Sequence, residues 1–347
     1  MANYFRQKLT KPIFMPDATY GIVNSVSYSD LKKVGTEAIV TNTLHVSMNA
    51  DDKHVNDLGG FKSFTGWDGG VITDSGGFQA YSLVKRGLGK MFDDRVEFIN
   101  PRNGSKHILT PKSSIDIQLN LRTDVVIVLD DCLHPSSSRE RVEQSVEKTT
   151  IWAKECKEYF TKRFKEIQDK DPEYDPLIFC VIQGGQELDL RERSFNELNE
   201  IGFDGYGFGG WPTSDDNIFL DEIVEFNAKL ANKTGKYNYA MGIGYPKDII
   251  KCIKWGYNLF DCVVPTRNAR HGLLYSINKE TKEVEELKIT RSEYRDDKTP
   301  LNEDSEIEEL RNTTRAYLNY LFRIKDTNSL RIATLLNLES YNRLLKT

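Results

Sequence analysis

The chain has 347 residues, of which 39% are hydrophobic and 29% charged, and a formal net charge of −5. That is enough for one large α/β barrel or two ordinary domains, with the charge balance of a soluble globular protein. No stretch approaches the ~18 uninterrupted apolar residues of a membrane span, and MANYFRQKLTKP lacks a signal peptide's apolar core, so the expected setting is the cytoplasm.

Short apolar runs alternate with helical patterns, as in repeated β-α units built on a parallel sheet. In chain order, strands are expected at EAIVTN (37–42), GGVITD (69–74) and DVVIVLD (124–130). RERVEQSVEKTTIWAKECKEYFTKRFKEI (139–167) has the periodicity and charge of an exposed amphipathic helix. KDPEYDP (170–176) is a proline-marked connection rather than a domain linker. Four more strands are expected at LIFCVIQ (177–183), GYGFGG (205–210), YAMGIG (239–244) and LFDCVVP (259–265). No internal repeat or low-complexity tract interrupts the pattern.

Two acids stand out. Asp74 sits in VITDSGGFQ (71–79), where an apolar strand runs into an acid, a serine and two glycines. Asp261 sits in LFDCVVPTRNARHG (259–272), ahead of a proline and a basic loop. A pair of carboxylates at strand ends suits chemistry at a sugar's anomeric carbon, one attacking as nucleophile while the other shuttles protons. Either acid alone reads more readily as a helix cap or turn residue. Cys132, Cys156, Cys180, Cys252 and Cys262 show no CxxC spacing and read as reduced thiols. The net negative charge does not exclude a nucleic acid, whose binding depends on local patches.

Long blocks connect these features: PIFMPDATYGIVNSVSYSDLKKVGTEAIVTNTLH (12–45), GGFKSFTGWDGGVITDSGGFQAYSL (59–83), NGSKHILTPKSSIDIQ (103–118), VLDDC (128–132), VIQGG (181–185), FDGYGFGG (203–210), YAMGIGYP (239–246) and FDCVVPTR (260–267). In this ordered set the chain resembles, over nearly its whole length, the tRNA-guanine transglycosylases, which exchange guanine in a polynucleotide for a free 7-deazaguanine. The resemblance implies a TIM-type (β/α)8 barrel over residues 1–285 and a small helical C-terminal subdomain over 286–347. It implies Asp261 as the nucleophile at C1′ of the ribose, forming a covalent glycosyl-enzyme, and Asp74 as the general acid/base. Asp130 takes the N1–H and 2-amino donors of guanine, as only a carboxylate or carbonyl can. Gln183 and the N–H of Gly210, beside Gly209, serve the carbonyl at position six. Ser75 holds the base edge, Phe78 and Met241 sandwich the flat base, and Cys132 lines the same pocket. Arg267 and Arg270, with His271 in the loop after the nucleophile, lie where the polynucleotide is gripped. No cofactor is expected.

The chain departs from the family in two places. Members usually carry a C-terminal zinc held by three cysteines and a histidine; here those positions are Ser305, Ile307, Leu310 and Leu336. Aliphatic side chains cannot hold zinc, so no metal is expected there, and a small hydrophobic cluster leaning on the barrel or a partner should replace it. In GGWPTSDD (209–216), Trp211 and Pro212 fill a segment that the resemblance sets near the substituent of the incoming base. These departures leave open the choice of preQ1, preQ0 or queuine, and whether the working form is a homodimer. The leading reading is a tRNA enzyme. The alternatives are a DNA-guanine transglycosylase and a non-catalytic partner subunit, the latter disfavoured because Asp74, Asp130, Gln183 and Asp261 are all present.

Overall fold

Apolar runs that can be buried on both faces need neighbours on both edges and a cover of helices, and parallel strands joined by helical crossovers supply both. The computed structural model describes residues 3–8, 11–278, 281 and 283–345; Met1, Ala2, Leu9 and Thr10 of the N-terminal stretch, and Lys346 and Thr347, lie outside them. The strands are β1 (Ile13–Pro16), β2 (Ala38–Thr41), β3 (Gly70–Thr73), β4 (Gly89–Met91), β5 (Val96–Ile99), β6 (Lys106–Leu109), β7 (Val125–Ile127), β8 (Leu177–Ile182), β9 (Gly205–Phe208), β10 (Tyr237–Ala240), β11 (Leu259–Cys262), β12 (Leu273–Ile277) and β13 (Val284–Lys288).

Eight of them form one parallel sheet in the order β1-β11-β10-β9-β8-β7-β3-β2. Asp17 lies opposite Val40 in a parallel bridge, and the Ala18 N–H donates to Val40 O at 2.7 Å, which brings the two edge strands together and rounds the sheet into a barrel. The expected (β/α)8 architecture is therefore present. The strand that completes it, β1, is absent from the seven expected ones: Pro12 and Pro16 flank a run of three apolar residues, and prolines demote a strand. Here Pro16 ends β1, whose edge is covered by β11 in the register Met15 to Asp261.

Other expectations need correction. Residues 264–265 do not extend the strand, and Arg267 and Arg270 do not sit in a loop. Val264–Arg270 is a helix with Pro265 in its first turn, a position that needs no proline N–H. β7 stops at Ile127 because Gln118, from the helix Pro111–Asn120, bonds both the N–H and the carbonyl of Ile127 at 2.8 Å. Between β3 and β7 the chain adds an antiparallel sheet, β4-β5-β6, where no strand was expected.

The C-terminal helix Thr327–Leu345 lies against the barrel, with most of its side chains buried. Tyr341 donates to Gly244 O at 2.7 Å and meets Phe14 edge-on at 4.9 Å. Asn337 ties it to the carbonyls of Pro265 and Leu273. Ile307, Leu310 and Leu336 share one buried apolar cluster with Leu31, Val34 and Leu318. Ser305 is also buried and donates to Glu339 at 2.8 Å. The four positions Ser305, Ile307, Leu310 and Leu336 are thus filled by packing and one hydroxyl–carboxylate bond.

Candidate active site

Side chains two apart on a strand share a face. The barrel interior is filled by Ile13 and Met15 on β1, Val40 on β2, Ile72 on β3, Phe179 and Val181 on β8, Tyr239 on β10 and Leu259 on β11. One step further along each series, at the carboxyl ends of the strands, come Asp17, Asn42, Asp74, Gln183, Met241 and Asp261. Alternation alone therefore brings both proposed catalytic acids, Gln183 and Met241 into one layer at the barrel mouth, the face on which such barrels place their chemistry.

On β9 the inward positions are Gly205, Gly207 and Gly209. A Cβ on Gly207 would lie 2.6 Å from the Met241 sulfur, and one on Gly209 2.5 Å from Ile182 O and 2.8 Å from the Gln183 side chain. These glycines let the Met241 and Gln183 side chains lean over β9, and the base slot expected from the sequence would lie between them. Asp130 reaches the same slot by a different route. Val128 and Leu129 both pack outward, breaking the alternation of β7, and the Asp130 carboxylate then accepts from Gln183 Nε2 at 2.7 Å and Ser75 Oγ at 3.2 Å. Its neighbour Asp131 points away into two bonds from Arg141 at 3.0 and 2.8 Å, so only one acid of VLDDC faces the slot.

The electrostatics separate these acids from ordinary surface carboxylates. Asp74 accepts from the Thr43 and Gly76 N–H groups at 3.0 and 3.1 Å, from Asn42 at 2.6 Å and from Gln79 at 3.0 Å. Burial nonetheless lifts its carboxyl to about 7, with the charge of Asp17 adding to the effect. Burial likewise lifts Asp261 to about 6, against the bonds from the Gly242 N–H at 3.0 Å and the Tyr239 hydroxyl. Asp130 is raised to about 6 by burial, opposed by Gln183 and Ser75. Tyr239 marks the convergence, because its hydroxyl bonds Asp261 and feels the charges of Asp74 and Asp17 as well. Among the described residues no cation forms an ion pair with Asp74, Asp130 or Asp261.

The remaining expected residues take varied places. Phe78 is 49% exposed and packs edge-on to Trp211 at 5.8 Å. Cys132 is buried, and burial pushes its thiol up, which makes it wall rather than nucleophile. Gly210 has φ +87°, and a Cβ there would lie 3.7 Å from Gln183 Oε1. Arg267 is exposed, whereas Arg270 is half-buried and its Nη1 has no hydrogen-bond partner. Burial lowers that guanidinium's pKa, as expected where an anionic partner is missing.

Four residues at the site have no assigned part in the sequence reading: Asp17, Gln79, Arg191 and Tyr239. Gln79 bonds Asp74 through its amide nitrogen and buries an unpartnered oxygen. Arg191 lies under the slot, fully buried, donating to Ile182 O, Gly185 O, Gly209 O and Asn227. It holds the β8 and β9 ends together, with no carboxylate partner among the described residues. In LDLRERSFNEL it is indistinguishable from a solvated helix arginine, and only the fold exposes its role. Gln79, five residues beyond Asp74 and in the first turn of Gly77–Lys85, carried a signal in its spacing.

The family model described as queuine tRNA-ribosyltransferase matches residues 3–347. A queuine tRNA-ribosyltransferase of Thermodesulfovibrio yellowstonii is 37% identical over 332 residues, 96% of this chain and 82% of that protein. Those of Solidesulfovibrio magneticus and Fusobacterium nucleatum are 36% and 37% identical, each over 98% of this chain and 86% of their own length.

Proposed function

The chain belongs to the queuine tRNA-ribosyltransferase family, and we propose that it exchanges a guanine in tRNA for a 7-deazaguanine base through an ester between Asp261 and the ribose. The observation that carries this reading is the convergence of Asp74 and Asp261 on Tyr239 at the barrel mouth, both carboxyls raised by burial and neither in an ion pair among the described residues, beside the inward glycines of β9.

In the first half-reaction Asp261 attacks C1′, the glycosidic bond breaks, and guanine leaves with a proton from Asp74. A carboxyl near 7 is well matched to that transfer, since it is protonated in a useful fraction of molecules and gives its proton readily. In the second, the incoming base attacks C1′, Asp261 departs, and Asp74 takes the proton the base sheds. Two displacements retain the anomeric configuration. Asp130, prearranged by Ser75 and Gln183, accepts from N1–H and the 2-amino group, while Gln183 and the Gly210 N–H donate to the six-carbonyl. Phe78 and Met241 cover the two faces of the base, with Cys132 in the wall. Arg267 and Arg270 supply the phosphate grip, and the unpartnered nitrogen of Arg270 supports that assignment.

Incorporation of labelled guanine into tRNA and duplex DNA, run in parallel, tests the proposal. Labelling of tRNA is expected. Labelling of DNA alone would replace the polymer, and labelling of neither would remove the activity.

A further inference from the structure

Asp17 has no task in the chemistry just described. It follows β1, the strand between β11, which carries Asp261, and β2, which leads to Asn42 and through it to Asp74. Strand alternation turns it to the same inward face as Ile13 and Met15. An Asx turn fixes it there, with the Thr19 N–H donating to Oδ1 at 2.8 Å and the Thr19 hydroxyl bonding the same oxygen. Among the described residues it forms no ion pair, and it remains half-buried. Its charge reaches Asp74, Asp261, Tyr239 and Arg270.

As a bystander this third carboxylate is unhelpful, because it disfavours ionisation of the nucleophile beside it. A sugar held on Asp261 changes that. The carbon next to C1′ carries the 2′-hydroxyl, a donor that needs an acceptor once water leaves the mouth. The oxygens of Asp74 already take four bonds, and those of Asp130 face the base slot. Asp17 stands just past the end of β1, the strand beside β11, two residues beyond the Met15 that pairs with Asp261, and its Oδ1 is occupied by Thr19 while Oδ2 is left for a ligand.

We propose that Asp17 accepts a hydrogen bond from the 2′-hydroxyl of the nucleotide being exchanged, and so makes the enzyme select RNA over DNA. The inference rests on the reading of the site as a ribosyl transferase. Its physical basis is that a site built around a substrate hydroxyl rejects the analogue lacking it, since the acceptor is then desolvated without a partner. The 2′-hydroxyl is also the group that lets a protein tell the two polymers apart.

The test uses one RNA stem–loop with the exchangeable guanosine in ribo or 2′-deoxy form, and compares kcat/KM for the full-length wild type, Asp17→Ala and Asp17→Asn. The wild type should prefer the ribo form by about a hundredfold. Asp17→Ala should lose rate on the ribo form and hold or gain rate on the deoxy form, where an unpartnered acceptor is removed, so that the preference collapses. The retained deoxy rate shows that the variant is folded. Asp17→Asn, which keeps an acceptor for the Thr19 turn, should fall between. A change in the ionisation of Asp261 or Asp74 affects both substrates and cancels in the ratio. Equal losses on both forms, or no loss on either, would overturn the inference while leaving the exchange activity standing. No exchange by the wild type on either form would instead sink the functional reading beneath it.

Discussion

Two regions treat their carboxylates in opposite ways. At the barrel mouth Asp74, Asp130 and Asp261 are lifted to between about 6 and about 7 by burial, with no arginine or lysine among the described residues paired to them. Under the C-terminal helix, burial also acts on Asp30, but two bonds from Arg331 and those from Ser27 outweigh it and lower the carboxyl to about 2. Arg331 reaches across 301 residues of sequence to do so, and its other nitrogen holds Glu309. Burial is common to both regions, and the presence of a cation decides the sign. Where the acid has a guanidinium it braces the fold; where it has only neutral donors it is left poised to exchange a proton.

The comparison can be broken most sharply at Asp261. Asp261→Asn should abolish base exchange, a loss of about ten-thousandfold or more in kcat, because the amide cannot form the ester. The same variant should melt about 2 °C higher at pH 7.5. The folded carboxyl sits above its usual 3.8, at about 6, so the cost of its charge is absent below the unfolded value and complete once pH exceeds the folded one. The gain should therefore vanish at pH 4. Melting curves at the two pH values check it, and a fall in melting temperature at pH 7.5 would contradict the account of the mouth.

Asp130→Asn comes next. It should lower kcat/KM for guanine about a hundredfold by presenting donors to donors, visible in a titration of free base at fixed RNA. An unchanged value would move base recognition elsewhere.

The pH profile sharpens the same contrast. Asp261 must be ionised, so kcat/KM should rise as pH passes about 6, and Asp74 must hold a proton for the departing guanine, so it should fall beyond about 7. A narrow bell is expected, falling about tenfold per pH unit on each side; a flat profile from pH 5 to 9 would contradict these assignments.

The smallest effect on catalysis belongs to the other region. Leu336→Ala removes a side chain that is 1% exposed in the cluster with Ile307 and Leu310. It should cost about 2–4 kcal/mol, lowering the melting temperature by about 3–5 °C while leaving kcat within about twofold. Loss of kcat in a folded Leu336→Ala would show that the two regions are coupled.

What could be read in advance follows the physics of each element. Seven barrel strands announce themselves as apolar runs because both faces are buried, and the ends of those runs bring Asp74, Gln183 and Met241 to the barrel mouth. β1 escapes because a short run between Pro12 and Pro16 resembles a turn, and Asp17 is missed with it. The helix Val264–Arg270 is hidden by two valines that favour a strand, while Pro265 is suited to a helix start. Arg191 is invisible to any local pattern, since its partners are backbone carbonyls supplied by two strand ends. The hydrophobic replacement at Ile307, Leu310 and Leu336 was legible from residue type alone, but the tie between Ser305 and Glu339 was not.

The central claim is the ester on Asp261. Incubating the protein with a guanine-containing tRNA stem–loop, without free base, then denaturing it and locating the attached RNA by mass spectrometry tests it directly. The account predicts a denaturation-resistant adduct on the peptide containing Asp261 that disappears in Asp261→Asn. Attachment at another residue, or an adduct that survives in that variant, would contradict it.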